Sequence, residues 1–177
     1  MNGPKTLDEL LEVVPGLRRQ RAINADWLRV LLNRQGRVCT WCGADAGKRL
    51  KWCSDECVQA FQLRCCSTTA RSFVIKRDGG LCRECGRDTV ASERQFDEIE
   101  QQKRKAGELP GGWKEREAIL EPIRRSLGWA RGRWYEVDHL LPVVEGGGLC
   151  DPANLRLLCG ECHAGATKKL AGKRKKK

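Results

Sequence analysis

The sequence is poor in histidine and in aromatic residues. Only 2 of the 177 residues are histidine, and Phe, Trp and Tyr together make up 6% of the chain, whereas charged residues make up 32%. So few aromatic and so many charged residues argue against one extensive hydrophobic core and favour small modules that are stabilised in another way. An apolar stretch long enough to span a bilayer is also missing. We therefore expect no membrane partner.

The N-terminal stretch MNGPKTLDELLEVVPG lacks a basic segment followed by an apolar run, the pattern that is typical of a secretory signal. We expect an intracellular protein, cytoplasmic and nucleoid-associated in a bacterium or nuclear in a eukaryote. In such a reducing compartment the 11 cysteines favour metal ligation over disulfide bonds.

Two close cysteine pairs occur in the stretch CTWCGADAGKRLKWCSDEC. Two-residue spacing lets both thiolates of a pair face one ion, and a helical turn brings the last ligand round to complete a tetrahedron. The stretch predicts a treble-clef-like zinc finger in which Ser54 or Asp55 caps a helix. Buried free thiols are the alternative. The predicted zinc ligands are Cys39, Cys42, Cys53 and Cys57.

A second set of cysteines is split along the chain. The gap between its two pairs is longer than the roughly 15 to 20 residues usual in a zinc site, and charged helical segments fill it. Ser92 and Gln95 predict a capping box, and Pro122 predicts a break or restart of a later helix. This insertion, at about residues 88–130, is read either as a plain spacer or as a substrate contact. The predicted ligands are Cys82, Cys85, Cys159 and Cys162.

Both histidines lie in the segment WYEVDHLLPVVEGGGLCDPANLRLLCGECH. Residues 134–140 have strand character and deliver Asp138 and His139 to the end of that strand. A loop rich in Gly and Pro follows, then the short strand LRLLC and a helix from about Cys162 that bears His163. We expect the two imidazoles to meet across one small cleft.

This arrangement resembles the HNH (ββα-metal) endonucleases that carry a structural zinc. The shared features are VDH, EGGG followed by Cys, the NL, LC and CH pairs, and the two flanking CxxC pairs. Within the family the likeness is to the HNH module of eukaryotic zinc-finger annealing helicases and to freestanding phage and bacterial nucleases. It covers roughly residues 70–167, with a weaker echo in the preceding cysteine finger.

The resemblance implies a role for each polar residue of this segment. His139 would be the general base that removes a proton from water. Asp138 and His163 would hold one catalytic divalent ion, Mg²⁺ or Mn²⁺, and Asn154 would orient the base through its loop. Taken singly, His163 could instead be a spare zinc ligand, and Asp138 and Asn154 could be ordinary turn residues.

The charge balance favours a polyanionic partner. Lys and Arg number 34 against 23 for Asp and Glu, which gives a net charge of +11 and a predicted pI of about 9.3. We expect DNA, with RNA as an open alternative, and a merely solubilising surface as the other interpretation. The C-terminal basic run could equally be a nuclear address. The expected nucleic-acid contacts are Arg131, Arg133, Lys168, Lys169, Lys173 and Arg174.

The predicted fold class is α+β, zinc-stabilised. We expect an N-terminal helical arm (1–36), a four-cysteine zinc finger (37–66), an HNH domain (67–167) and a basic tail (168–177). The expected function is metal-dependent cleavage or nicking of DNA, branched DNA included, with two structural zinc ions. A non-catalytic zinc module that binds nucleic acid is the alternative. A separate helicase or a second copy of the chain is the expected protein partner.

Overall fold

The computed structural model describes residues 5–20 and 22–175, and its mixture of helices with a small sheet confirms the α+β class. Residues 1–4 of the predicted arm, Arg21 and residues 176–177 of the predicted tail lie outside this range. None of the helices within it has the length and apolar character that a membrane span requires. The elements are α1 (Leu7–Val13), α2 (Ala25–Leu31), α3 (Asp55–Cys65), α4 (Ser67–Arg77), α5 (Thr89–Lys105), α6 (Trp113–Ser126), β1 (Tyr135–His139), β2 (Leu155–Cys159) and α7 (Gly160–Arg174).

The chain divides into two compact units, each made of two segments. The first unit comprises Met1–Val74 and His139–Leu155, and the second comprises Ile75–Asp138 and Arg156–Lys177. The predicted subdivision into arm, finger, HNH domain and tail stays a prediction.

An apolar cluster forms the core of the first unit. Helix α1 is capped by Thr6, whose hydroxyl accepts a hydrogen bond from the backbone N–H of Glu9 at 3.2 Å. Its apolar side then packs against α2, Cys65 of α3 and one residue of the glycine-containing loop. The buried members are Leu7, Leu10, Leu11, Leu17, Ile23, Leu28, Leu32, Cys65 and Leu149.

Helix α2 is a short helix of 7 residues. Asn24 caps it, but it ends at Leu31, and the chain turns through Asn33 in a left-handed conformation with φ of 51°. Asn tolerates this conformation better than most residues, so the helix stops before Gly36. By contrast, Ser54 caps α3 as predicted by accepting from the N–H of Cys57. Helix α4 has no counterpart in the sequence-based expectations.

The start of α5 differs from the predicted capping box. Asp88 is the N-cap, and its carboxylate accepts from the N–H groups of Val90 and Ala91 at 3.0 and 2.8 Å. Ser92 therefore lies inside the helix, where its hydroxyl donates to the backbone carbonyl of Asp88. The prediction placed the helix start one turn late, because Asp88 satisfies two of the free N–H groups at once.

Helix α6 runs through Pro122 without a break, so the predicted interruption is wrong. A proline removes one backbone hydrogen bond, but Ala118, the residue one turn earlier, is exposed, and water can bind its carbonyl. Two ion pairs span the proline and reinforce the helix. They join Arg124 to Glu117 and Arg125 to Glu121.

Strands β1 and β2 pair in a two-stranded sheet, as the sequence predicts. Helix α7 follows β2 directly and begins at Gly160, slightly before the predicted start. It continues to Arg174, so the first part of the predicted basic tail is helical. Strand, strand and helix thus occur in the order that a ββα core requires.

Candidate active site

The first set of cysteines forms a compact sulfur cluster within the first unit. Its four Sγ atoms lie within 4.8 Å of one another, with 3.5 Å between Cys42 and Cys53 and 3.4 Å between Cys53 and Cys57. A tetrahedral zinc–thiolate site with bonds of about 2.3 Å has sulfur–sulfur edges of about 3.8 Å. The cluster therefore fits one zinc ion, with Cys39 as the remaining ligand.

The second set forms an equivalent cluster within the second unit. Its four Sγ atoms also lie within 4.8 Å of one another, and those of Cys85 and Cys159 are 3.9 Å apart. The backbone N–H of Cys162, in the first turn of α7, donates to Sγ of Cys159 at 3.4 Å. Cys82 completes the set. The long sequence gap therefore does not prevent the two predicted pairs from meeting.

The pKa values of the thiols show why each cluster suits a cation. Burial raises the pKa of Cys39, but backbone N–H groups, led by that of Cys42, outweigh it and hold the pKa at about 6. The pKa of Cys82 is likewise lowered to about 7 against the effect of burial. Burial, with a hydrogen bond to Cys53, raises the pKa of Cys57 to about 12. Neighbouring thiolates repel one another, so all four can ionise only around a cation such as Zn²⁺.

The helical insertion packs back onto the residues that precede β1. The rings of Phe96 in α5 and Trp134 have centroids 5.4 Å apart. The guanidinium carbon of Arg124 in α6 lies 5.2 Å from the centroid of Phe96 and 4.9 Å from that of Trp129. These contacts pack the insertion against the residues before β1. They explain how a long insertion can separate the two cysteine pairs of the second cluster.

His139 lies at the end of β1 with its ring fixed by the backbone of the glycine-containing loop. Nε2 of His139 is 3.0 Å from the carbonyl oxygen of Leu149. A carbonyl oxygen can only accept, so Nε2 carries the hydrogen of the neutral ring and the Nδ1 lone pair remains available as an acceptor. The imidazole therefore has a defined tautomer and direction.

The side chain of Asn154 clamps the same loop. Its Oδ1 accepts from the N–H of Leu141 at 2.7 Å, and its Nδ2 donates to the carbonyls of Leu141 at 3.1 Å and Gly147 at 2.8 Å. A Cβ at Gly147 would overlap the carbonyl oxygen of Leu141, which explains the glycine there. Asn154 thus fixes the chain that leaves His139.

Asp138 and His163 belong to the second unit. Oδ2 of Asp138 is 3.4 Å from Nη2 of Arg156, and Nη1 of the same arginine is 3.2 Å from Oε2 of Glu84. Arg156 therefore links Asp138 to the segment between Cys82 and Cys85. His163 directly follows the predicted zinc ligand Cys162 in α7, so the second sulfur cluster holds the turn that bears it.

The predicted nucleic-acid contacts differ in their environments. Arg133 forms an ion pair with Glu136, which occupies part of its charge. Arg131 lines a cavity of about 310 Å³ together with Arg125, Trp129 and Glu161. The remaining four cations are exposed on α7 and form a basic surface, which consists of Lys168, Lys169, Lys173 and Arg174.

Three residues that contact the candidate site were not found by sequence reasoning: Arg18, Arg64 and Arg156. Each acts through contacts with residues that are distant in the sequence. An isolated arginine in a chain with 34 Lys and Arg residues carries no motif that would single it out.

Comparison with known proteins gives a family for part of the chain. Residues 129–169 match the model of the HNH endonuclease family. The chain is also similar to the protein named DNA annealing helicase and endonuclease ZRANB3, with 31% identity over 126 residues for Mus musculus and 29% over 127 residues for Homo sapiens. The alignments cover 70% of this chain but only 12% of the mouse protein and 11% of the human one. No solved structure matches the chain significantly.

The family match covers the elements described above. The matched segment contains β1, the loop clamped by Asn154, β2 and the first part of α7. It also contains both histidines and one half of the second sulfur cluster. Residues 129–169 therefore match the HNH endonuclease family within an α+β chain whose two sulfur clusters fit zinc.

Proposed function

We propose that this chain is a divalent-metal-dependent DNA endonuclease. The observation that carries the proposal is the fixed ring of His139, whose Nε2 is held by the Leu149 carbonyl within the segment that matches the HNH family. In a neutral ring held in this way, Nδ1 keeps the lone pair with which a general base accepts a proton. A general base needs both a fixed tautomer and a fixed direction.

His139 would act through Nδ1. It takes a proton from a water molecule, whose oxygen forms a bond to the scissile phosphorus. The bond between phosphorus and the 3' oxygen breaks, and that oxygen leaves as a 3' hydroxyl after it takes a proton from solvent. The products are a 5' phosphate and a 3' hydroxyl, and Asn154 would keep the base in position through the loop.

Asp138 and His163 would hold the catalytic ion, Mg²⁺ or Mn²⁺. When bound, such an ion neutralises phosphate charge and stabilises the departing oxygen. One carboxylate and one imidazole leave most coordination positions to water and phosphate oxygens, which suits these ions better than a closed zinc site would. Arg156 would keep the Asp138 carboxylate in one orientation through their 3.4 Å contact.

The two sulfur clusters would hold structural zinc. Each already offers four thiolates, so no coordination position remains open for a substrate. Because His163 follows Cys162 directly, loss of the second zinc should disorder the turn that bears His163. The zinc ions would thus be necessary for activity without taking part in the chemistry.

DNA is the favoured substrate for two reasons. The mouse and human relatives are named as enzymes that act on DNA, although this chain spans only about an eighth of their length. The net charge of +11 and the basic surface of α7 suit a phosphate backbone. We extend the proposal to branched DNA and to an intracellular site of action, where all 11 cysteines can stay reduced.

One catalytic centre per chain cuts one strand at a time. A double-strand break would then need a second copy of the chain or a second visit to the same site. A separate helicase is the other protein partner that fits this proposal, since it would generate the branched or unwound DNA on which a single-strand nick is most useful.

The second candidate function is a zinc module that binds nucleic acid without cutting it. The exposed cations of α7 favour it, because a charged surface alone supplies binding. Conversion of supercoiled plasmid to nicked circles in Mg²⁺ or Mn²⁺ separates the two candidates. Wild type should cut, and zinc-loaded His139→Ala should bind DNA equally well but cut at least about a thousandfold more slowly. Binding without cutting by both proteins would support the second candidate instead.

A further inference from the structure

Leu149 connects the candidate base to the apolar core of the first unit. Its side chain is 2% exposed and packs in the cluster that includes Leu7, Leu10 and Leu11 of α1. Its carbonyl oxygen is the partner of Nε2 of His139. The group that orients the imidazole is therefore carried by a residue whose own side chain is anchored among N-terminal helices.

The backbone of Leu149 is held in an unfavourable conformation. Its φ is 60°, in the left-handed region that a leucine rarely adopts, because its Cβ comes too close to the following carbonyl oxygen there. The backbone N–H of Leu149 donates to the carbonyl of Arg18 at 3.2 Å. A conformation of this kind persists only where the surroundings enforce it. The carbonyl would turn away from His139 if those surroundings were loosened.

Two arginines outside the family-matched segment fix the loop on either side of Leu149. Nη1 of Arg18 donates to the carbonyl of Gly146 at 2.7 Å. Arg64, in α3, accepts from the N–H of Cys150 at 3.2 Å through its backbone carbonyl, and its guanidinium pairs with Asp151 at 3.3 Å. The same guanidinium pairs with Asp8 of α1 at 2.6 Å. Arg64 thus joins α1, α3 and the loop.

Gly148 permits the closest of these approaches. A Cβ at this position would overlap the backbone carbonyl of Arg18 and its Cβ. The third glycine of EGGG is therefore required by the N-terminal segment of this chain. Replacing it should separate the loop from Arg18 without removing any polar group.

We infer that the N-terminal segment and α3 are the platform that positions the general base, with Arg64 and Leu149 as its positioning residues. This inference rests on the proposed function, because it assigns to Arg64 a role in the reaction that His139 performs. The region before the HNH domain would then contribute to catalysis by positioning His139, in addition to any role in zinc binding or in charge attraction. Arg64 is half-buried, and its guanidinium contacts the loop through Asp151.

The test uses two variants of the full, zinc-loaded chain, Gly148→Ala and Arg64→Gln. Both should lower kcat about 10-fold to 100-fold, the effect expected when a catalytic group is misplaced by about 1 Å, while KM for DNA changes less than about 3-fold. Arg64→Lys should restore part of kcat, because a lysine keeps the charge but cannot pair with Asp8 and Asp151 in the same forked manner.

Matched controls separate positioning from general damage. Gly111→Ala makes the same substitution where an added Cβ meets nothing within 4 Å. Arg49→Gln removes an arginine from an ion pair with Asp55 whose two side chains are 50% and 75% exposed. Both controls should keep wild-type kcat. All variants should retain two zinc ions and the wild-type circular dichroism.

A second readout does not depend on cleavage. The chain has only 2 histidines, so ¹⁵N labelling of histidine gives two ring systems, which His139→Ala assigns. Wild type should show His139 as the Nε2–H tautomer, and Gly148→Ala and Arg64→Gln should show a mixture of tautomers. If the two variants keep both the Nε2–H tautomer and wild-type kcat, the inference is wrong. If wild type does not cut DNA, the proposed function fails, while the tautomer comparison still decides the positioning.

Discussion

Asn154 provides a sharp test of the loop that carries the candidate base. Asn154→Ala removes an acceptor for the N–H of Leu141 and two donors to the carbonyls of Leu141 and Gly147. Asn154→Asp is nearly the same size and keeps the acceptor, but it turns a carboxylate oxygen towards the two carbonyls. Both variants should open the loop, and Asn154→Asp should be no milder than Asn154→Ala.

The size of the effect follows from the number of hydrogen bonds. A typical intramolecular hydrogen bond contributes about 0.5–1.5 kcal/mol net, so three give about 2–4 kcal/mol. Because Asn154 is only half-buried, water can replace some of the lost hydrogen bonds, and the expected loss of loop stability is about 1.5–3 kcal/mol. Since about 1.4 kcal/mol is a factor of ten, the loop should open roughly 10-fold to 100-fold more often.

Amide hydrogen exchange measures this opening directly. The N–H of Leu141 should exchange about 10-fold to 100-fold faster in either variant than in wild type. The N–H of Arg83, which donates to the carbonyl of Leu157 at 2.9 Å in the second unit, should exchange at its wild-type rate. Unchanged exchange at Leu141 together with wild-type nicking would refute the role that we give to the clamp.

Three further predictions concern the zinc sites, the acid stability and the basic surface. Cys85→Ser should reduce bound zinc from two ions per chain to one by mass spectrometry, with amide protection lost in the second unit and kept in the first. The Asp78 side chain is 4% exposed, and hydrogen bonds from Arg77 lower the pKa of its carboxyl group. This carboxylate therefore stabilises the fold fully above the unfolded pKa of about 3.9, and the stabilisation is lost as the pH falls through the lower pKa of the folded state. Asp78→Asn should therefore lack this part of the acid-dependent loss of unfolding free energy, as measured by denaturant titration at several pH values. Neutral substitutions of the four exposed cations of α7 should weaken DNA binding. The slope of the logarithm of the binding constant against the logarithm of the salt concentration should become less negative by about 0.9 for each phosphate that the protein no longer neutralises.

The two groups of four cysteines and the ββα order could be predicted from the sequence because their signals are local. The spacing of a CxxC pair by itself predicts that both thiolates can face one ion. The strand LRLLC is predicted by its own residues and by the turn residues around it. The structure brings each predicted set of four sulfurs together, and β1 and β2 pair where they were expected. The roles of Asp138, His139, Asn154 and His163 remain predictions.

Helix boundaries were less predictable because several local signals compete. Both Asp88 and Ser92 can cap a helix, and the choice of Asp88 is reinforced by Thr89, whose buried hydroxyl donates to the carbonyl of Gly80 at 2.9 Å. The proline in α6 is a local signal for a break, but the helix continues through it, and the carbonyl left without its helical partner belongs to the exposed Ala118. Such outcomes depend on which groups are buried, which the sequence alone does not state.

The support behind the site could not be predicted, because its contacts join distant parts of the chain. Arg64 meets Asp151, and Leu149 packs against α1, across long sequence separations. The left-handed backbone of Leu149 also runs against its own conformational preference. Tertiary contacts impose it, and local rules fail most often at sites of this kind.

The most direct test of the nuclease claim is a single-turnover experiment. A labelled branched DNA is mixed with excess zinc-loaded protein in Mg²⁺ or Mn²⁺, and cleavage is followed for wild type and for His139→Ala at matched occupancy of the DNA. We predict cleavage by wild type with 5' phosphate ends and a rate at least about a thousandfold lower for His139→Ala. Equal rates for the two proteins, or tight binding without cleavage by either, would contradict the claim.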